Sequence, residues 1–179
     1  MRLLLATAAV LLLAAAPASA AYTIRTNADG QITKIGDLRT RGGKPPTFDR
    51  AVAVFGRPTR VAPVGTGTEA CSIDWSPIKL RTTFANFGGG RACAPTEGVL
   101  QKATTRSRRF RTAKDLRVGD PSSTIKEKYP KAKFRRNVWQ IVTAPNPAGE
   151  ESTEIATIEA TVKQGRIEVL RLWIGAAGD

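Results

Sequence analysis

The residues able to do chemistry are few. The chain has two cysteines, Cys71 and Cys93, and no histidine in 179 residues, which excludes a histidine-based triad and histidine-containing zinc sites. An even pair of cysteines in an oxidising compartment predicts a bridge, and a bridge removes both as nucleophile or thiolate ligand. Asp115 with Asp120, and Asp29 with Asp37, have the residue types for paired-carboxylate work. Each, however, stands at a helix start or turn, where a carboxylate caps backbone N–H groups. Gly65-Thr66-Gly67 lacks the lysine and helix of a phosphate loop, and Gly88-Gly89-Gly90 runs into Arg91 where that helix would begin. The serines have no elbow motif and no histidine partner. The sequence therefore predicts no catalytic, cofactor-binding or metal-binding residue, and a protein that is not an enzyme.

What remains is chemistry of association. Residues 101–136 carry a net charge of +10, within a chain whose total is +13. Arg106, Arg108, Arg109 and Arg111 surround Phe110 there, a combination suited to a polyanion. On an extended backbone Arg106, Arg108 and Phe110 point one way and Arg109 and Arg111 the other, so the charges form a band rather than a pocket. Trp173 alternates against Leu172 and Ile174, so one register of this terminal strand faces solvent or a partner, as a binding surface or a dimer edge. Trp75 and Trp139 lie in alternating runs and are expected in the core.

The elements that must position these residues follow from turn signals and periodicity. Tyr22–Arg25 and Ile32–Leu38 read as an irregular or weakly stranded lead-in. After the break at 42–46, Thr47 caps a helix whose face is Phe48, Ala51, Val52 and Phe55, stopped by Gly56 and Pro58. Cys71, Ile73 and Trp75 alternate as a strand; further strands are expected over Leu80–Phe87 and Val99–Thr105. Thr112 to Asp115 has the form of a capping box opening one helical turn. Asp120 and Pro121 open a second short helix with Ile125 and Tyr129 on one face and Pro130 at its end. Val138–Val142 is a β-prone run, followed by a polar loop with Pro145, Asn146, Pro147 and Gly149. Ile155–Val162 and Ile167–Ile174 flank Lys163-Gln164-Gly165-Arg166 as a hairpin.

At the amino terminus, Arg2 precedes an apolar run of fourteen residues, Leu3 to Ala16, followed by Pro17 and Ala18-Ser19-Ala20. That is the form of a secretory signal peptide cleaved after Ala20, and the run is short of the ~20 residues that span a bilayer. No cysteine stands at the cleavage point to take a lipid anchor. Export directs the expected partners outside the cytoplasm: an extracellular or envelope protein, or alternatively an anionic cell-wall polymer or acidic lipid surface. Intracellular nucleic acid is not expected, since no helix-turn-helix, zinc finger or RNP pattern is present.

The stretch Leu116-Arg117-Val118-Gly119-Asp120-Pro121 through Ile125 to Tyr129 and Pro130, then Trp139, Ile158–Val162, Gly165, Arg166 and Ile167–Leu172, resembles exported proteins of the β-lactamase inhibitory protein-like fold. That group includes the small SmpA/OmlA (BamE-like) envelope lipoproteins. A first unit matches through Phe55-Gly56-Arg57-Pro58, Cys71, Trp75, Phe84 and Cys93. The resemblance implies an α+β fold of tandem short-helix plus antiparallel-sheet units and, in place of catalysis, binding of a protein on a sheet surface. The expected organisation is a signal peptide at 1–20, a lead-in at 21–46, a first α+β unit at 47–103 and a second at 104–179, packed together.

Overall fold

The computed structural model describes residues 21–146 and 154–174. The proposed leader, with its cleavage site after Ala20, lies outside the described residues, as do Pro147 and Gly149. The described elements are strands β1 (Tyr22–Thr26), β2 (Ile32–Ile35) and β3 (Leu38–Arg39), helix α1 (Phe48–Phe55), and strands β4 (Arg60–Pro63), β5 (Ala70–Trp75), β6 (Leu80–Ala85), β7 (Val99–Thr105) and β8 (Phe110–Thr112). Helix α2 (Ser123–Lys128) and strands β9 (Lys133–Arg135), β10 (Val138–Pro145), β11 (Glu154–Lys163) and β12 (Arg166–Trp173) follow. This is an α+β domain with short helices and largely antiparallel sheets.

Eight strands form one antiparallel sheet in the order β4-β5-β6-β7-β12-β11-β10-β9, and four form a smaller one in the order β3-β2-β1-β8. The alternation read in the sequence decides which side of the large sheet is dry. Cys71, Ile73 and Trp75 of β5 pair with Phe84, Thr82 and Leu80 of β6, and all six are buried. Across β7 and β12 the same face continues through Ala103, Thr105, Leu170 and Leu172. Helix α1 buries Ala51 and Phe55, and α2 buries Ile125, in the same core.

An aromatic chain binds the layers together. Tyr22 of β1 stacks on Phe110 of β8 at 4.8 Å and meets Phe55 of α1 edge-on at 5.4 Å, and Phe55 in turn meets Trp75 edge-on at 5.6 Å. Such contacts add about 0.5–1.5 kcal/mol each beyond the area they bury. The indole N–H of Trp75 donates to the Gly56 carbonyl at 2.7 Å, so burying the ring leaves no unsatisfied donor and ties the end of α1 to the large sheet.

Three local expectations are corrected. The lead-in is regular: β1 pairs with β2 antiparallel and, through Tyr22–Ile24, with β8 in parallel. Ile24, Ile32, Ile35 and Leu38 are all buried, which supplies the dry face that a short strand needs. Thr112 to Asp115 forms no helix. The Asp115 N–H donates to the Thr112 carbonyl, and the Thr112 hydroxyl accepts from the Leu116 N–H, so the threonine closes a turn at the end of β8. Asp120 does not cap α2 either: its carboxylate accepts from the Arg117 N–H at 2.9 Å, and α2 begins after Ser122. In both cases the short polar side chain found a nearer backbone donor than the helix would offer.

The hairpin β11–β12 turns at Gln164 and Gly165, both at positive φ (50° and 72°), the primed geometry that matches strand twist. Residues 27–30 form another demanding turn. Gly30 is at φ 79°, its carbonyl accepts from the Thr157 hydroxyl at 2.7 Å, and an added Cβ would stand 2.0 Å from the Thr143 carbonyl oxygen. Gly30→Ala should therefore cost about 2–3 kcal/mol in a urea titration, through overpacking and backbone strain. Gly42→Ala, at a similar φ of 70° but in open space, should cost about 1 kcal/mol. Equal losses in the two variants would show that the small sheet does not press on β10 through this turn.

Candidate binding face

Among the described residues, the second face of the large sheet presents a band of part-exposed and exposed side chains. A single cross-strand row crosses it: Arg60, Asp74, Arg81, Thr104, Arg171, Glu159, Gln140 and Lys133 are paired in sequence from β4 to β9. Alongside it runs a second row, Ala62, Ser72, Thr83, Lys102 and Trp173. None of these thirteen residues is buried, whereas their in-strand neighbours at Ile73, Thr82, Ala103 and Leu172 are. Period-two alternation sets the division along these rows, although Val169, two residues before Arg171 on the same side of β12, is buried.

Trp173 is the large apolar group of this face and is 39% exposed. Its orientation is fixed from two sides. The indole N–H donates to Glu159 on β11 at 3.2 Å, and the Lys102 ammonium of β7 lies 4.2 Å from the ring centroid. The ring is thus held in one orientation, with a cation–π contact on one neighbour strand and a charge-assisted hydrogen bond on the other. Two strands away, on β6, Arg81 forms a two-bond fork with Asp74 of β5, at 2.6 and 3.3 Å, which keeps the guanidinium charged and in place.

Beside Asp74 and Arg81 the face dips into a depression of about 460 Å³ whose rim includes Ser76, Lys79, Thr104 and Arg106. Lys79 and Arg106 are exposed and have no ion-pair partner among the described residues. Their backbones are joined, the Arg106 N–H donating to the Lys79 carbonyl at 3.1 Å.

The arginine segment is dispersed by a turn rather than drawn out as a band. The chain bends at 107–110, where the Phe110 N–H donates to the Ser107 carbonyl and the Ser107 hydroxyl accepts from the Arg109 N–H. Arg106 consequently faces the large-sheet depression, and Arg108 lies across Gly119. Arg109 is half-buried, and its carbonyl accepts from the Tyr22 N–H. Arg111 points to the small sheet, donating to Thr23 and pairing with Asp115. Phe110 is fully buried in the aromatic chain and is out of reach of any surface partner. The sequence placed it among arginines, but β8 alternation turns Phe110 and Thr112 inward. Nor is β12 an edge available for dimer pairing, because β7 and β11 occupy both its sides.

The expected Cys71–Cys93 disulfide is present. It fastens the loop after β6 to the start of β5, where the Ala92 N–H also donates to the Thr68 carbonyl. The candidate acid pairs are separately engaged: Asp115 with Arg117 and Arg111, Asp120 with the Arg117 N–H, Asp37 with Lys34. The Arg117 hydrogen bond holds the Asp115 carboxyl below the usual carboxylate range. The sequence reading did not single out Lys79, Arg81, Lys102, Glu159 or Arg171. The signal was there in the alternation of β5, β6, β7, β11 and β12, but only pairing of distant strands assembles it.

No protein-family model matches the chain, and no curated protein is a significant match to it. Among solved structures, an extracellular protein containing a SCP domain from Bacillus anthracis str. Ames is similar over 72% of this chain, with a TM-score of 0.41 and 9% identity. The chain spans 43% of that protein's length.

Proposed function

We propose that this is an exported, non-catalytic binding module that holds a protein partner against the solvent face of its eight-stranded sheet, with Trp173 as the central anchor. The observation that carries the reading is the part-exposed indole, fixed between Lys102 and Glu159 on a central strand of the large sheet. A solvated face of an antiparallel sheet needs no tryptophan, and an aromatic ordered in advance loses little entropy on contact. Tryptophan is also the residue type most enriched among those whose truncation costs binding energy. The resemblance of short sequence stretches to the β-lactamase inhibitory protein-like and SmpA/OmlA-like exported proteins implies the same reading. Binding of a wall polymer or acidic lipid by residues 101–136 is favoured less, because the arginines at 106, 108, 109 and 111 serve different surfaces and Phe110 is in the core.

The test is recovery of partners from the secreted and envelope fraction of the source cells. The wild-type chain should retain a discrete protein, and Trp173→Ala should weaken that retention by at least tenfold with the circular dichroism spectrum unchanged. Equal retention by both forms would overturn the reading, as would salt-labile retention of polymer in place of protein.

A further inference from the structure

Resting on the sheet-face reading, we infer that the depression beside Asp74 and Arg81 is the subsite for a carboxylate side chain, aspartate or glutamate, presented by the bound protein partner. Three cations line or rim it, Lys79, Arg81 and Arg106, against one carboxylate, Asp74. Asp74 is already committed to the Arg81 fork, so two positive charges stand without partners among the described residues. Charge complementarity with an acidic group is the arrangement that uses them.

The donors decide which anion fits. Phosphate sites are built largely from free backbone N–H groups arranged as a nest or helix start. Here those groups are spent: the Ser76 N–H donates to the Thr59 hydroxyl, the Lys79 N–H to the Ser76 carbonyl and the Arg106 N–H to the Lys79 carbonyl. What the depression offers is side-chain donors alone, with the Arg106 guanidinium as a free planar fork that matches a carboxylate in two parallel hydrogen bonds. Position along the sheet agrees. Arg106 directly follows β7, four residues from Lys102, a span of about 13 Å at strand rise, so one standard protein interface covers both the subsite and Trp173.

The experiment is an amide and guanidinium NMR titration of the labelled chain with three probes: acetyl-Gly-Glu-Gly-amide, its glutamine counterpart and inorganic phosphate. The glutamate peptide should give saturable shifts confined to Ser76, Lys79, Thr104 and Arg106. Combined Lys79→Gln and Arg106→Gln substitution should weaken that binding by about tenfold, as expected on losing charge-assisted hydrogen bonds. Equal response to the glutamine peptide, tighter binding of phosphate, or shifts that fail to saturate would each overturn the subsite. Its failure is separable from that of the sheet-face reading. Partner retention that depends on Trp173 but survives the double substitution leaves the face standing and removes the carboxylate.

Discussion

Trp75→Ala is expected to lower stability by about 3–5 kcal/mol, which for a chain of this size is a fall in melting temperature of about 10 °C or more. The ring is 1% exposed, stands edge-on to Phe55 and hydrogen-bonds the Gly56 carbonyl, so its removal opens a cavity between α1 and the large sheet and orphans an acceptor. The loss falls first on Phe55, which meets Trp75 edge-on, and reaches Tyr22 and Phe110 only through Phe55. Trp75→Phe separates the contributions. It keeps most of the apolar volume, loses the hydrogen bond and should cost about 1–2 kcal/mol. Trp173→Ala should change stability by about 1 kcal/mol or less, because the exposed indole covers no core. Thermal and denaturant unfolding of the three variants checks the ranking. A Trp75→Ala protein as stable as Trp173→Ala would contradict the layered core described above.

Replacing Cys71 and Cys93 together by alanine should remove about 3 kcal/mol, the chain-entropy value for a bridge closing a separation of 22 residues. Cys71 is buried and Cys93 half-buried, so the pair also contributes packing that alanine does not replace. The unfolding midpoint should fall while the m-value rises, because the unfolded chain of the variant exposes more surface. Adding reductant to the wild type should move it toward the variant, and reductant should leave the variant itself unchanged. A midpoint identical in the oxidised wild type and the variant would show that the loop after β6 is held by its backbone hydrogen bonds alone.

Much of this architecture was legible where local pattern and tertiary demand agree. The alternation of Cys71, Ile73 and Trp75, the strand at Val99–Thr105, the helical face of Ala51 and Phe55 and the turn at Gln164-Gly165 stand where the periodicity put them. The failures came where a side chain had two local options. Thr112 and Asp120 have the chemistry of helix caps and equally that of turn acceptors, and the buried Leu116 nearby fixes the turn. Short strands such as β4, β8 and β9 were missed because three or four residues give no measurable period, and only a neighbouring strand makes them regular. For the candidate face, the sequence supplied Trp173 and Arg106. Lys102 and Glu159 reach Trp173 from strands 71 and 14 residues away along the chain. No one-dimensional spacing encodes that meeting.

The placement of β12 bears on when the protein can fold. It lies between β7 and β11, joining the half of the large sheet made first to the half made last. Until residues 166–173 have been synthesised, β7 and β11 each present an unpaired edge, and neither half has its full dry face. The growing chain therefore cannot complete the large sheet until nearly the whole of it has been synthesised, and closure waits on contacts between residues 65 positions apart, such as Thr105 with Leu170. Up to that point the chain lacks the one strand that supplies a neighbour to both β7 and β11. Chains cut short before β12 are the ones expected to be recognised as unfinished and degraded.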